Sequence, residues 1–251
     1  MRVRLALLAL PLFFAAPLAA MAPADYAAAV APDGRPEKQV ALDESRKPAE
    51  VLDFMRVKPG QKALDFFAGQ GYFTQILARA VGPRGEVTAF EPKNFYEDPR
   101  SASIWRALHA ANGNIKVSAP PIDQYAEPAG VYDVALLNLV YHDMYWESAE
   151  YKFPRVDPEK ILAELYKGMK PGGTVVVVDH VGPAGDTRAV VEKLHRIDPE
   201  TVKADFKRAG FVFDGESQAL RISADDHSKS VFDPAIRGKT DRIMYRFKKP
   251  G

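Results

Sequence analysis

Of the chain's five histidines, His142 follows and His180 ends segments that read as neighbouring strands, and His195 stands before the next helix. Asp143 and Asp179 accompany the first two. A histidine paired with a carboxylate can take a proton from a substrate oxygen or nitrogen near neutral pH. His142 is the expected general base. Asp143 orients it, or else points into the sheet edge, and His180 is a second catalytic candidate. His195 is assigned to the substrate side. Another pair of acids lies upstream: Asp65 sits inside one apolar run, and Glu91 ends the next, 20 residues beyond Gly71. His109, in an ordinary helical pattern, and His227, in a polar loop, read as structural or solvated.

The elements that must position these groups are legible around Asp65. Ala63 to Phe67 is a short apolar run suited to a buried parallel strand. Ala68-Gly69-Gln70-Gly71 is a tight turn. From Tyr72 a helical pattern places Phe73, Ile76, Leu77, Ala80 and Val81 on one face, and Gly82-Pro83 stops it. A strand, a glycine turn and a helix N-terminus bring backbone N–H groups to a ligand. A dinucleotide fingerprint needs a third glycine and a helix facing a pyrophosphate. That glycine is absent here, and the acid in the strand repels a pyrophosphate while suiting an amino-bearing ligand. Glu91 is placed to accept from ribose hydroxyls. An amine, a ribose and no phosphate describe S-adenosylmethionine.

The segment resembles motifs I and II of the class I S-adenosylmethionine-dependent methyltransferases. The usual D-x-G-x-G-x-G has glycine where this chain has Phe67; nucleic-acid methyltransferases often carry F-x-G-x-G there, with the Phe against the cofactor. The resemblance implies cofactor contacts from Asp65, Phe67, Gly69, Gly71 and Glu91. In such enzymes the connection matching Pro120 to Gly130 reaches the adenine, which offers Ile122 and Asp123. Asn138, ending the fourth strand, is counted on the cofactor side too. Met169-Lys170-Pro171-Gly172-Gly173 is similar to the L-K-P-G-G turn common in the class. Asn138 and Tyr141 have the spacing of the N-P-P-Y motif of amino-methyltransferases, with Leu139 and Val140 in place of the prolines, and this makes Tyr141 a substrate candidate. Catechol-type O-methyltransferases hold a divalent metal with acids and an Asn at the ends of strands 4 and 5. Asp179 fits one position, but the set is incomplete and no metal is expected. The resemblance covers about residues 45–249. More closely, the chain is similar to a family of exported bacterial proteins known only as predicted methyltransferases of unknown substrate. The matching stretches are Arg46 to Leu52, Asn138 to Asp143, Val178-Asp179-His180 and Leu194 to Asp198.

Composition narrows the function further. The chain has 251 residues and a formal charge of +1, with no basic stripe, so nucleic acid is not an expected partner. It has no cysteine, which removes thiolate catalysis, disulfides and cysteine–zinc sites. Arg2 and Arg4, an apolar run to Ala20 and the small residues after it form a signal-peptide pattern. The expected organisation is a signal peptide over 1–24, a lead-in over 25–47 and a methyltransferase-like domain over 48–251. Cleavage is expected after Ala24, or after Ala20. The protein is then exported and periplasmic, with no stable membrane span in the mature form; an uncleaved anchor is the alternative.

The order of elements predicts an α/β fold with a doubly wound, seven-stranded, mostly parallel sheet (Rossmann-like methyltransferase fold) and an antiparallel last strand. Phe211 to Ile222 reads as strand 6. The last strand, Thr240 to Lys248, alternates as an exposed edge would. The connection Ser223 to Lys239 must begin and end at the ligand edge. It reads as a lid, with Phe232 closing on the pocket and Arg237 near an acidic group of the ligand, or as a solvated hairpin loop. Together these readings describe an S-adenosylmethionine-dependent methyltransferase acting on a small molecule or envelope component. The alternative is an exported, non-catalytic small-ligand-binding module on the same fold. A nicotinamide oxidoreductase is disfavoured by the missing glycine.

Overall fold

The computed structural model describes residues 26–251. The signal-peptide expectation falls on residues 1–24, outside the described residues. Short helices open the chain: α1 Ala27–Val30, α2 Glu37–Val40, α3 Asp43–Arg46 and α4 Pro48–Met55. The alternating core then runs β1 Lys62–Phe66, α5 Tyr72–Val81, β2 Glu86–Phe90, α6 Lys93–Tyr96, α7 Pro99–Ala111, β3 Ile115–Ser118 and β4 Tyr132–Asn138. It continues with α8 Pro158–Gly168, β5 Met169–His180, α9 Thr187–Leu194, α10 Pro199–Arg208, β6 Val212–Glu216 and β7 Arg242–Lys248.

Seven strands pair in the order β3-β2-β1-β4-β5-β7-β6. β1 pairs in parallel with β2 and β4, β2 with β3, and β4 with β5. β7 alone runs against its neighbours β5 and β6. The doubly wound sheet with its antiparallel last strand is therefore as expected. The order reverses direction beside β1 and β4, and the carboxyl ends of those strands are where such sheets open a crevice.

The central strands read as apolar because both of their faces are covered. Leu64, Phe66, Ala135, Leu137, Val175 and Val177 pack on one side. Ala63, Leu136, Val176 and Val178 pack on the other, against α4 and α5. Burying each valine of β5 contributes about 1.5–3 kcal/mol. Gly71 (φ 71°) precedes α5 as its N-cap, and a Cβ there would collide with Leu108 of α7, so that position requires glycine.

Several expected boundaries shift. β7 is not an edge strand: it lies between β5 and β6, and Arg242 to Phe247 are all buried. Arg246 donates from Nη1 to the Phe54 carbonyl (2.7 Å) and lies over the Phe54 ring, so α4 covers the face that alternation marked as exposed. The exposed edge is β6, which ends at Glu216 rather than Ile222. β5 starts at Met169, pairing with Tyr132 before a register shift, and so includes the expected Pro171-Gly172-Gly173 turn. α9 is a helix that the sequence reading did not mark. Asp186 caps it by accepting the Ala189 N–H at 2.8 Å.

Candidate active site

β1 delivers Asp65 to the crevice, and the chain then turns through three residues of positive φ: Phe67 (60°), Gly69 (60°) and Gly71 (71°). A Cβ built on Gly69 meets nothing within 4 Å, so a ligand can lie against its backbone. Phe67 lacks that freedom and is held in the left-handed region by packing against Phe66, Phe95 and Phe153. Leu139, just past β4, and His195, just past α9, are also left-handed, at 60° and 50°. Non-glycine residues in this region cost on the order of 1–3 kcal/mol each and gather at functional sites. Here all three border one crevice.

The crevice holds three cavities that share lining residues. One of about 940 Å³ is bordered by Gly69, Gln70, Glu91, Phe95, Ile122 and Tyr151. A smaller one of about 300 Å³ has Arg46, Asp65, Phe67, Gly69, Asn138 and Leu139 in its wall. A third of about 680 Å³ meets Arg46, Leu139, His142, His180, His195 and Phe232. The first two meet at Gly69 and Gln70, and the last two at Arg46 and Leu139.

Asp65 and Glu91, the acids that the resemblance assigns to the cofactor, are buried. Asp65 accepts the Thr74 hydroxyl at 2.6 Å, and burial pushes its carboxyl up to about 6 against that hydrogen bond and the nearby Arg46. Glu91 accepts the Gly69 N–H at 2.7 Å. Burial pushes Glu91 up to about 8; the Gly69 bond opposes the rise, while Asp65 and Asp143 add to it. One donor each does not offset burial, so both carboxyls hold a proton more readily than exposed ones, Glu91 more so than Asp65. Asp123 is exposed on a single 3₁₀ turn, while its neighbour Ile122 lines the large cavity.

The third cavity gathers the histidines. Asp179 Oδ1 lies 2.7 Å from His142 Nδ1, and its Oδ2 accepts the His142 backbone N–H at 2.9 Å. Asp143 Oδ1 stands 3.4 Å from Nε2, on the cavity side. Burial disfavours the imidazolium, but the two carboxylates outweigh it and push His142 up to about 9. The orienting acid is thus Asp179, across the β4–β5 pair, and Asp143 faces the other nitrogen. His142 carries its proton at neutral pH, which makes it a stronger base, once deprotonated, than an ordinary imidazole.

His180 does not share that chemistry. Its Nδ1 lies 2.7 Å from the Thr240 hydroxyl, and burial with the neighbouring His142 charge lowers it to about 3, so it is neutral. It borders the cavity as a hydrogen-bonding group rather than a proton carrier. His195 is likewise pushed down, to about 4, by burial and then by His142. Its ring stands edge-on to His142 (5.7 Å), packs against Trp146 (5.5 Å) and lies under Phe232 (4.7 Å).

Tyr141 is a correction. It is fully buried, and its hydroxyl donates to Asp205 of α10 at 2.6 Å, beside Phe206. A buried phenol needs a partner for its O–H, and that partner lies away from the crevice, so Tyr141 is a core residue. Phe232 and Arg237 do border the third cavity, but their loop is tied down. Asp225 pairs with buried Arg196 at 2.8 Å, and the Val231 N–H donates to the Leu194 carbonyl. His227 is not merely solvated: it sits 3.1 Å from Asp241. Trp146, Arg46 and Arg242 also line the cavity, and none was singled out from the sequence for a role in it. The Asp143-Met144-Tyr145-Trp146 run after His142 is the signal that could have flagged Trp146. Among the described residues, no group of three or more metal-ligating side chains converges, and no helix is long and apolar enough to cross a membrane.

The family model for protein-L-isoaspartate(D-aspartate) O-methyltransferase matches residues 37–117, which run from the lead-in through β3. Curated relatives include demethylmenaquinone methyltransferases from Bacillus cytotoxicus, 31% identical over 137 residues, and from a Geobacillus species, 27% identical over 135. Each match covers 53% of this chain and 51% of the relative, so it spans about half the length of those proteins. Among solved structures, a SAM-dependent methyltransferase from Aquifex aeolicus aligns with 82% of this chain and 97% of its own, at a TM-score of 0.57 and 17% identity. The structure solved as a sarcosine dimethylglycine methyltransferase from Galdieria sulphuraria covers 85% of this chain and 88% of its own, with the same score and identity. The chain therefore has the Rossmann-like fold of the S-adenosylmethionine-dependent methyltransferases.

Proposed function

We propose that this protein is an S-adenosylmethionine-dependent methyltransferase whose acceptor is a small molecule with an acidic hydroxyl on an aromatic ring. The observation that carries the reading is the run of three adjoining cavities, with Glu91 in the first, Asp65 in the second and His142 in the third. The residues fit the cofactor. The open face of Gly69 admits a ligand backbone-close, and Asp65 and Glu91 offer two buried carboxylates for an amine side and a ribose. When bound, the cofactor supplies a methyl group already activated on a sulfonium.

The protein's remaining task is to align the acceptor and manage one proton. His142 near 9 is close to a phenol's ordinary value of about 10. A phenol proton can therefore pass to a neutral His142, or an imidazolium can hold a phenolate already formed. Asp179 stabilises the charged ring in either case. Trp146 and Phe232 flank the site as flat apolar surfaces for an aromatic body. The curated relatives named for demethylmenaquinone support the ring-bearing class, and a relative from Pasteurella multocida named as a ubiquinone/menaquinone biosynthesis C-methyltransferase raises carbon as the methylated atom. The basic-then-apolar start of the chain supports an exported location, which intact-mass measurement of the fractionated protein would test by a loss of about 24 residues.

Calorimetric titration of the full chain with S-adenosylmethionine tests the core of the reading. The parent should bind. Asp65→Ala and Glu91→Ala should each lose about 1.5–3 kcal/mol, roughly tenfold to more than a hundredfold in affinity. Folded variants that bind like the parent would refute the cofactor assignment.

A further inference from the structure

The wall of the third cavity is unevenly charged. Arg46, Arg237 and Arg242 line it, and Asp143 is the one carboxylate among the lining residues, occupied with the His142 ring. Arg242 is the unusual member. It is 5% exposed, its Nη2 donates to the Ser45 carbonyl at 2.7 Å, and its Nε has no hydrogen-bond partner among the described residues. The acids nearest in sequence are committed elsewhere. Asp241 accepts from Arg221, from the Ile222 N–H and from His227, while Asp225 takes Arg196. Arg46 completes the pair from α3. It lies over the Tyr72 ring at 4.5 Å and makes no ion pair within 4.0 Å among the described residues. Burial and then the nearby Arg46 lower the pKa of Arg242, with Asp241 opposing them.

A buried guanidinium with a free donor is costly unless something anionic completes it. The aromatic surfaces stand in the same cavity. Trp146 stacks on Phe153 at 5.6 Å, and His195 bridges Trp146 to Phe232. We propose that the acceptor carries a carboxylate in addition to its reacting hydroxyl, and that Arg242 and Arg46 receive that carboxylate while the aromatic wall holds the ring. This rests on the methyltransferase reading for the word acceptor, but the anion site itself does not. The carboxylate could instead be the one on the methionine end of the cofactor, because Arg46 also borders the Asp65 cavity. Arg242 lines only the third cavity, and this favours the acceptor.

Two probes that share a phenol ring separate the sources: 4-hydroxybenzoate, and 4-hydroxybenzyl alcohol, which lacks the carboxylate. Each is titrated into the full chain, with and without saturating S-adenosylhomocysteine. The parent should bind the carboxylate probe at least about tenfold more tightly. Arg242→Gln and Arg46→Gln should bring the two probes to within about twofold, Arg242→Lys should restore part of the preference, and in Arg242→Gln, which does not border the Asp65 cavity, S-adenosylhomocysteine affinity should stay within about twofold of the parent. Arg46 is partly exposed on a short helix, so its variant remains informative if Arg242→Gln fails to fold. Equal binding of the two probes to the parent would overturn the proposal. So would variants that lose S-adenosylhomocysteine affinity and keep the probe preference, since the guanidiniums would then serve the cofactor. A parent that binds no S-adenosylhomocysteine but discriminates the probes would sink the methyltransferase reading and keep the anion site.

Discussion

Asp179 grips His142 at two points, with one oxygen 2.7 Å from the ring Nδ1 and the other accepting the backbone N–H at 2.9 Å. The second bond fixes the side chain of Asp179, and the first then fixes the ring. The pair joins the end of β5 to the loop after β4, so the proton on His142 depends on sheet register as well as on local charge.

Asp179→Asn should lower the His142 pKa by at least about one unit, because burial would then face only Asp143. Imidazole NMR titration reads this directly. The linkage sign follows from the rise to about 9: the parent's contribution from His142 is fully present below the ordinary imidazole value of about 6.5 and is lost as pH rises through 9. Parent stability should therefore fall between those limits, and the slope should flatten in the variant. An unchanged His142 titration would show that the contact is not what raises it.

Glu91 sets stability against binding, with the same pH sign as His142. Its carboxyl is pushed from 4.5 up to about 8, so the folded protein holds a proton there that the unfolded chain releases. Stability should fall as pH rises across that window. Glu91→Gln should remove this part of the fall and raise the thermal midpoint at pH 8, while weakening S-adenosylmethionine binding at least about tenfold. If ribose hydroxyls ionise Glu91 on binding, calorimetry of the parent at pH 7 in buffers of different ionisation enthalpy should show proton release. Glu91→Gln should not show it.

What the sequence made legible follows from how local each signal is. Asp65, Gly69 and Glu91 could be read because a strand, a turn and the next strand end are fixed within about thirty residues by backbone geometry alone. The pairing of His142 with Asp179 rather than Asp143 could not be ranked, because adjacency in the chain does not tell which way a side chain turns after a strand ends. Tyr141 shows the same gap: its motif spacing points to the crevice, but its hydroxyl finds Asp205 sixty-four residues on. Arg242 falls on the side of the last strand that its alternation marks as exposed. The alternation was real, but α3 and α4 cover that face, and only the tertiary fold shows a cation left there without an ion pair.

Tyr141→Phe tests the corrected role. Asp205 is buried and would keep Tyr145 and Arg208, but would lose one donor. The expected cost is about 1–3 kcal/mol in denaturant unfolding, with the acceptor KM unchanged within error. A large rise in KM at unchanged stability would return Tyr141 to the substrate side.

Phe232→Ala should behave in the reverse way. The ring is 55% exposed, so its removal should cost no more than about 0.5 kcal/mol of stability. Yet it lies 4.7 Å from the His195 ring and borders the cavity that holds His142, so an aromatic acceptor should lose one of its two flat contacts. The acceptor KM should rise several-fold, with S-adenosylmethionine affinity unchanged. Hydrogen exchange separates a moving lid from a fixed wall. The Asp225–Arg196 pair and the Val231–Leu194 backbone bond should keep the first half of the loop protected without ligand. Protection gained when acceptor and S-adenosylhomocysteine are added should then centre on 232–238, between those anchors and Thr240. Gain spread evenly over 223–239 would mean that the whole connection closes, and no gain together with an unchanged KM would leave Phe232 a solvated residue with no part in binding.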